Sequence, residues 1–304
     1  MTFFSIVVPT YNRAGLIERT LNSIFLQKFQ NYEIIVIDDG STDNTEVVLK
    51  PFLSKIIYLK QDNTGPGAAR NRGIEIAQGQ YIAFLDSDDL WFPWSLKIYY
   101  EVIQQADYPI FLAGNSIFFK DEGDLRLVEP SSLKFQYFSD YYASSKQPLW
   151  LGVCSVAIQT NYLKKIGGFS NHRMNAEDSD LWLRLGCGKG FIFIDTPILF
   201  AYRQHSNTAV SEQIKTYHGI QYMIQQEKSG QYPGDKKRKR ERLVILTRHV
   251  RPISLACLRQ GNVSYAWTLY AQTWWWHFTL FRVRYLLFFP VFLMVKLFQK
   301  KIDF

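Results

Sequence analysis

Residues 80–89 read QYIAFLDSDD, a hydrophobic run that breaks abruptly into three carboxylates, Asp86, Asp88 and Asp89. A short segment that is apolar at nearly every position and bounded by polar residues has the pattern of a strand buried on both faces. Three further runs share that pattern: FSIVVP at 4–9, EIIVI at 33–37 and KIIYL at 55–59. Together they read as one parallel sheet. Between them Leu16, Ile17, Leu21, Ile24 and Phe25 recur at helical spacing, and Gly65 and Pro66 punctuate the start of a second helix over 67–78. Alternation of strand and helix predicts the α/β class. In such sheets ligands gather outside the carboxyl ends of the strands. Polar clusters fall there three times, at Thr10–Asn12, Asp38–Thr42 and Asp86–Asp89.

The rest of the composition bounds the problem. With 304 residues, 47% of them hydrophobic and 16% aromatic, the chain can bury one large core plus an appendage, and a disordered chain is excluded. A formal charge of +8 suits a negatively charged surface or ligand without separating membrane from nucleic acid. Cys154, Cys187 and Cys257 form an odd, widely spaced set that matches neither a metal site nor a disulfide framework, so a reducing compartment is expected. Met1 leads straight into an apolar strand with no basic region or small-residue cleavage site, which predicts a cytoplasmic location. From Pro109 to about His205 the pattern loosens into mixed strands, loops and a helix opening near Glu177, with no linker. After about Ser211 long helical segments follow, so the expected division is 1–210 and 211–304.

Three groups of residues carry candidate chemistry. Asp86, Asp88 and Asp89 leave a buried strand as hard oxygen ligands, suited to Mg2+ or Mn2+ shared with substrate phosphates; the simpler reading is a solvated turn with Asp89 capping the helix that starts near Pro93. Asp39, after a second strand, can accept a hydrogen bond from the imide of a pyrimidine, with Tyr11 beside it for an aromatic contact; equally, Asp38 to Asp43 fit an ordinary strand-to-helix turn. Glu177, Asp178 and Asp180 open an amphipathic helix, where acids are favoured by the helix dipole whatever else they do, and where Asp178 also fits a general base. His205 is a candidate metal ligand through a neutral imidazole. Arg70 and Arg72 are candidates for phosphate contact, or for simple display to solvent.

Taken together, SIVVPTYNRAGLIERTLNSI (5–24), EIIVIDDGSTDNT (33–45), NTGPGAARNRGI (63–74), YIAFLDSDD (81–89), GGF (167–169) and EDSDLWLRL (177–185) resemble the family 2 glycosyltransferases of the GT-A fold. The resemblance implies a mixed, mainly parallel sheet flanked by helices, with residues 1–105 as a nucleotide-sugar-binding half, 106–210 as an acceptor-binding half and 211–304 as a helical extension. It implies an inverting transfer from a nucleotide-diphospho-sugar, with uridine the expected base, to a hydroxyl acceptor such as a lipid-linked or cell-envelope glycan. Pro9, Thr10, Tyr11 and Asp39 would surround the base. Arg70 would reach phosphate, Asp86 and Asp88 would serve ribose, diphosphate and Mn2+ or Mg2+, Asp178 would be the base, and His205 would reach the metal as it does in some relatives. The QxxRW motif of processive synthases is missing, so transfer of one or a few sugars is expected.

Two other classes compete. A sugar nucleotidyltransferase shares the sheet and the metal chemistry, but a glycine-rich phosphate loop would be expected where Pro9, Thr10, Tyr11 and Asn12 stand. A noncatalytic membrane or nucleic-acid adaptor would be built on KKRKRER at 236–242, and nucleic acid is not the expected partner because acidic strand ends repel phosphate unless a metal intervenes. The tail predicts contact with a membrane surface instead. Its longest apolar run, Tyr285–Val295, is well short of the ~20 residues that span a bilayer, and it contains Pro290 between Arg284 and Lys296. Trp274, Trp275 and Trp276 suit the headgroup boundary, with Arg282, Arg284, Lys296, Lys300 and Lys301 among anionic headgroups. The bland alternative is that these helices pack on protein.

Overall fold

The computed structural model describes residues 2–204 and 213–302. They form two compact units. The first runs through Ser144, takes Pro148–Arg173 and resumes at Cys187; the second takes Ser145–Gln147, Met174–Gly186 and the helices from Gln213 onward. The helix that opens at Glu177 therefore groups with the C-terminal helices, whereas a division at residue 210 assigns it to the sheet.

In the first unit the strands are β1 (Phe4–Thr10), β2 (Tyr32–Asp38), β3 (Ile57–Lys60), β4 (Tyr81–Phe84), β5 (Leu90–Trp91), β6 (Phe111–Gly114), β7 (Ser116–Phe119), β8 (Lys134–Phe138), β9 (Val156–Gln159), β10 (Phe191–Thr196) and β11 (Phe200–Arg203). Eight of them form one sheet in the order β3-β2-β1-β4-β9-β6-β10-β8. β3, β2, β1 and β4 are mutually parallel, as the hydrophobic runs predict. β9 then runs antiparallel to both its neighbours, and β8 closes the far edge antiparallel to β10, so the sheet is mixed. β5, β11 and β7 form a smaller sheet of their own.

β1 is buried along its whole length and the last five residues of β2 are buried as well, which requires cover on both faces. The helices α1 (Ile17–Phe25), α2 (Thr45–Leu49), α3 (Pro66–Ile76), α4 (Ser95–Gln105) and α5 (Thr160–Lys165) belong to this unit. α1 buries Ile17, Leu21 and Ile24 at the spacing that marked it as amphipathic. α3 begins with Pro66 in its first turn behind Gly65, whose φ of +99° lies in the region only glycine enters without strain.

The second unit contains α6 (Glu177–Leu185), α7 (Gln213–Lys228), α8 (Lys239–Arg259), α9 (Val263–Thr279) and α10 (Val283–Ile302). α7 fits against the lead-in to α6 because residue 219 is glycine: a Cβ there would strike the Asn175 carbonyl oxygen. No described helix is long and apolar enough to cross a membrane.

Candidate active site

The parallel register sets β1 beside β2 and β4, so the three polar clusters leave adjacent strands on one edge. Thr10 stands opposite Asp38 in the register, and the Asp39 N–H donates to the Thr10 carbonyl at 2.9 Å. The loops beyond are stitched together. Asn12, at φ +51°, accepts through Oδ1 from the Thr42 N–H at 2.8 Å, while its own N–H donates to Ser41 Oγ at 3.0 Å. Thr10 Oγ1 is buried and has no hydrogen-bond partner among the described residues. Tyr11 is exposed, with its ring available for a contact.

Asp38 and Asp39 do different work. Asp38 is buried and accepts from the Ser41 N–H at 2.8 Å and the Tyr58 hydroxyl at 3.0 Å, the local turn that the strand-end reading allowed. Asp39 reaches across to the segment ahead of α3. It accepts from Gln61 Nε2 at 2.8 Å, the Thr64 N–H at 2.9 Å and the Gly65 N–H at 2.7 Å. These donors on one carboxylate fix the loop. A cleft of about 430 Å3, lined by Gly40, Ser41, Lys60, Gln61 and Asp62, opens beside this loop, within the size range of small-ligand sites.

The acidic loop after β4 is held from several sides. Arg70, buried on α3, donates to Asp86 Oδ1 at 2.7 Å and lies over the Phe169 ring, so it anchors a carboxylate, while Arg72 pairs with Glu75 on the exposed face. Asp88 Oδ2 pairs with Arg13 Nε at 3.2 Å. Asp89 is buried and accepts from the Arg203 N–H at 2.9 Å through Oδ1, a tie to β11 and not a cap on α4. Arg203 also donates through Nε to the Asp88 carbonyl and through Nη2 to Glu122. Burial, reinforced by the neighbouring Asp86 and Asp88 charges, pushes the Asp89 carboxyl well above the usual carboxylate range. Arg13 and Arg203 were not among the candidates from sequence. The available signal for Arg203 was an arginine ending the otherwise apolar run ILFAYR.

Asp86, Asp89 and Cys154 bring one ligand atom each within 4.8 Å of one another. Asp89 Oδ2 is buried with no hydrogen-bond partner among the described residues, which leaves a hard oxygen for a cation. The Cys154 thiol, pushed up by burial and by Asp86 and Asp89, keeps its proton and accepts from the Asp86 N–H at 3.2 Å. The oxygen donors of this loop therefore fit Mg2+ or Mn2+, whereas the thiol does not add to them. The group includes Asp89 where the sequence pointed to Asp88, and His205 lies outside the described residues.

In the second unit Ala176 precedes α6 in the left-handed region at φ +73°. Of the acids that open the helix, Asp180 is fully buried and accepts from the Tyr232 hydroxyl and from Arg184 Nε, both at 2.9 Å. Asp178 is half-buried and accepts from the Ser179 N–H at 2.6 Å. The basic run at 236–242 is partly consumed by internal pairs: Arg242 makes a buried ion pair with Glu227 at 2.6 Å, and Arg238 pairs with Glu241 at 3.2 Å.

Comparison with known proteins agrees with this geometry. The family model described as "Glycosyl transferase family 2" matches residues 5–166. An uncharacterized glycosyltransferase of Rickettsia conorii is 32% identical over 212 residues, 67% of this chain but 34% of its own length, so the chain spans about a third of that relative. An Escherichia coli protein named as UDP-Glc:alpha-D-GlcNAc-diphosphoundecaprenol beta-1,3-glucosyltransferase is 30% identical over 71% of this chain and 82% of its own. Among solved structures, Staphylococcus aureus TarS residues 1–349 superpose with a TM-score of 0.64 at 21% identity, covering 82% of this chain and 72% of that one, a likeness of fold. The motifs, the mixed sheet and the family match over more than half of the sequence converge: the chain belongs to glycosyl transferase family 2 and is a glycosyltransferase of the GT-A fold.

Proposed function

We propose that this glycosyltransferase moves a sugar from a uridine-diphospho-sugar to a hydroxyl of a lipid-linked cell-envelope glycan, with inversion at the anomeric carbon. The observation that carries the reading is the meeting, on adjacent strand ends, of the Asp39 loop with the acidic loop 86–89. In this reading the first receives the base and the second a metal and the diphosphate. Supporting it, the E. coli relative is named for UDP-Glc and a diphosphoundecaprenol acceptor, and one TarS structure is a complex with UDP-GlcNAc.

In this mechanism Pro9, Thr10, Tyr11 and Asp39 receive the base, Asp39 by fixing residues 61–65. Arg70 and Arg13 orient the Asp86 and Asp88 carboxylates. Mn2+ or Mg2+ held by Asp86, Asp88 and Asp89 would neutralise charge on the departing diphosphate. Asp178 accepts the proton as the acceptor oxygen attacks from the face opposite the diphosphate. Asp180 is unsuited to that role because Arg184 and Tyr232 already occupy its oxygens. The C-terminal helices hold the enzyme peripherally on the cytoplasmic face of an anionic membrane, where a lipid-linked acceptor would present its hydroxyl.

The test is binding of a panel of nucleotide-sugars to the full chain with Mn2+ present, followed by the same titrations in chelator. Uridine-diphospho-sugars should bind selectively and lose affinity in chelator. Equal binding of all nucleotides, or none, overturns the donor assignment.

A further inference from the structure

Beyond the first turn of α8, which holds Glu241, the helices α8 to α10 carry charge of one sign only. Between Arg242 and Ile302 the sequence contains arginines and lysines but no aspartate or glutamate. Two of these cations meet at the turn that joins α9 to α10. The Arg282 N–H donates to the His277 carbonyl at 2.9 Å, and the His277 ring packs on the Tyr285 ring with centroids 4.3 Å apart. The Tyr285 hydroxyl is 2.8 Å from Ser254 Oγ, which donates to the Arg251 carbonyl. This chain of contacts ties the Arg251 carbonyl on α8 to the Arg282 N–H of the turn, so the two residues are brought near one another through their backbones, while Arg251 Nε donates to the Thr247 carbonyl at 3.1 Å. Among the described residues neither makes an ion pair; burial, then the Arg282 and Arg248 charges, weaken the hold of Arg251 on its proton, and burial, then Arg251 and Arg282, do the same to His277. Both His277 ring nitrogens and Arg282 Nε are buried with no hydrogen-bond partner among the described residues. Like charges beside unused donors are unfavourable unless an anion joins them.

The surface around that turn is apolar. Phe281 forms its tip, 82% exposed, and Trp274, Trp275 and Phe278 stack against one another on the outer face of α9 while remaining exposed. α10 buries Tyr285 and Phe289 but turns Leu287, Phe288 and Val291 outward. A helix that is apolar on its outer as well as its inner face is out of place in water. A second copy of the chain that met this aromatic face with its own would bring cation against cation, since this region holds no carboxylate to complement them. An anionic bilayer answers both features at once.

We infer that the α9–α10 turn is a seat for an anionic phospholipid, in which Arg251 and Arg282 take the headgroup phosphate while Phe281 and the α9 aromatics enter the interface. This deepens, and rests on, the membrane contact in the proposed function. It moves the contact away from the basic run at 236–242, where Arg242 and Arg238 are already paired.

The test is flotation of the full chain on phosphatidylcholine vesicles with and without phosphatidylglycerol, with inorganic phosphate as competitor. Binding should require phosphatidylglycerol. It should fall about fivefold for each of Arg251→Ala and Arg282→Ala, the loss expected for one basic residue at an anionic surface. Phe281→Asn and Trp275→Gln change exposed side chains, so they should keep the thermal transition while weakening flotation. If the parent chain floats and all four variants float equally well, the seat lies elsewhere and the membrane contact stands. If the parent chain stays in the soluble fraction on every vesicle, both ideas fail. Stabilisation by inorganic phosphate without vesicle binding would make the turn a free-phosphate site and overturn the lipid assignment.

Discussion

Replacing Asp178 and Asp180 one at a time with asparagine separates catalysis from architecture, because the two acids sit two residues apart on α6 with opposite surroundings. Asp180 is fully buried, and its partner Arg184 is 23% exposed. An amide keeps an acceptor for the Tyr232 hydroxyl but removes the charge that faces Arg184. Breaking a fully buried pair costs about 3–5 kcal/mol and an exposed one under about 1, so this half-shielded pair should cost about 2 kcal/mol. For a chain of this size that is a fall of about 5 °C in Tm. Asp178 is half-buried and its Ser179 N–H bond survives in the amide, so Asp178→Asn should leave stability within about 1 kcal/mol. Its effect belongs in the chemical step. Loss of a general base slows transfer by roughly a hundredfold or more, about 2.7 kcal/mol on the barrier at 1.36 kcal/mol per factor of ten. The assay is transfer rate at saturating donor, with Tm and calorimetric donor binding measured on the same samples. Near-normal turnover in Asp178→Asn, or a Tm loss equal to that of Asp180→Asn, would return Asp178 to helix capping and refute the assignment.

Asp39→Ala removes the acceptor for four donors on residues 61–65, so the donor KM should rise more than kcat falls and selectivity for uridine should drop, with about 2–3 kcal/mol of stability lost; unchanged nucleotide preference in a competition assay would place the base elsewhere. Asp88→Ala should weaken metal-dependent donor binding, and chelation of the parent enzyme should match it; calorimetric binding that is indifferent to chelator would remove the metal from the mechanism. Acidification should destabilise the second unit. Burial, with Arg251 and Arg282 nearby, pushes His277 down to about 3, so between the unfolded value near 6.5 and that point the unfolded chain binds a proton that the folded one refuses. Stability is then greatest above about pH 6.5 and falls as pH drops, by about 5 kcal/mol if the full window is crossed. His277→Phe should flatten this slope in denaturant titrations, and an unchanged slope would show that His277 does not titrate on unfolding.

Much of the first unit was legible because its signals are local. β1, β2 and β4 are short apolar runs that only a doubly covered strand accommodates, and each ends in polar residues that parallel pairing must place on one edge. Gly65 and Pro66 mark the start of α3 by their own backbone limits. What each acid does there was not legible. Asp38 and Asp39 are neighbours in sequence, yet one closes its own turn and the other ties down a segment more than twenty residues away. Asp89 could cap a helix on local grounds, but it meets Arg203 of β11, a partner supplied by the second sheet. Asp180 reads like Asp178 until Tyr232 and Arg184 are seen to fill its oxygens. The basic run at 236–242 reads as free charge until Glu227 is found against Arg242. The pattern of apolar residues along the chain decides which segments are buried, since burial follows from composition and period. Which polar group meets which depends on pairings between residues far apart in sequence, and only the folded chain brings those partners within hydrogen-bonding distance.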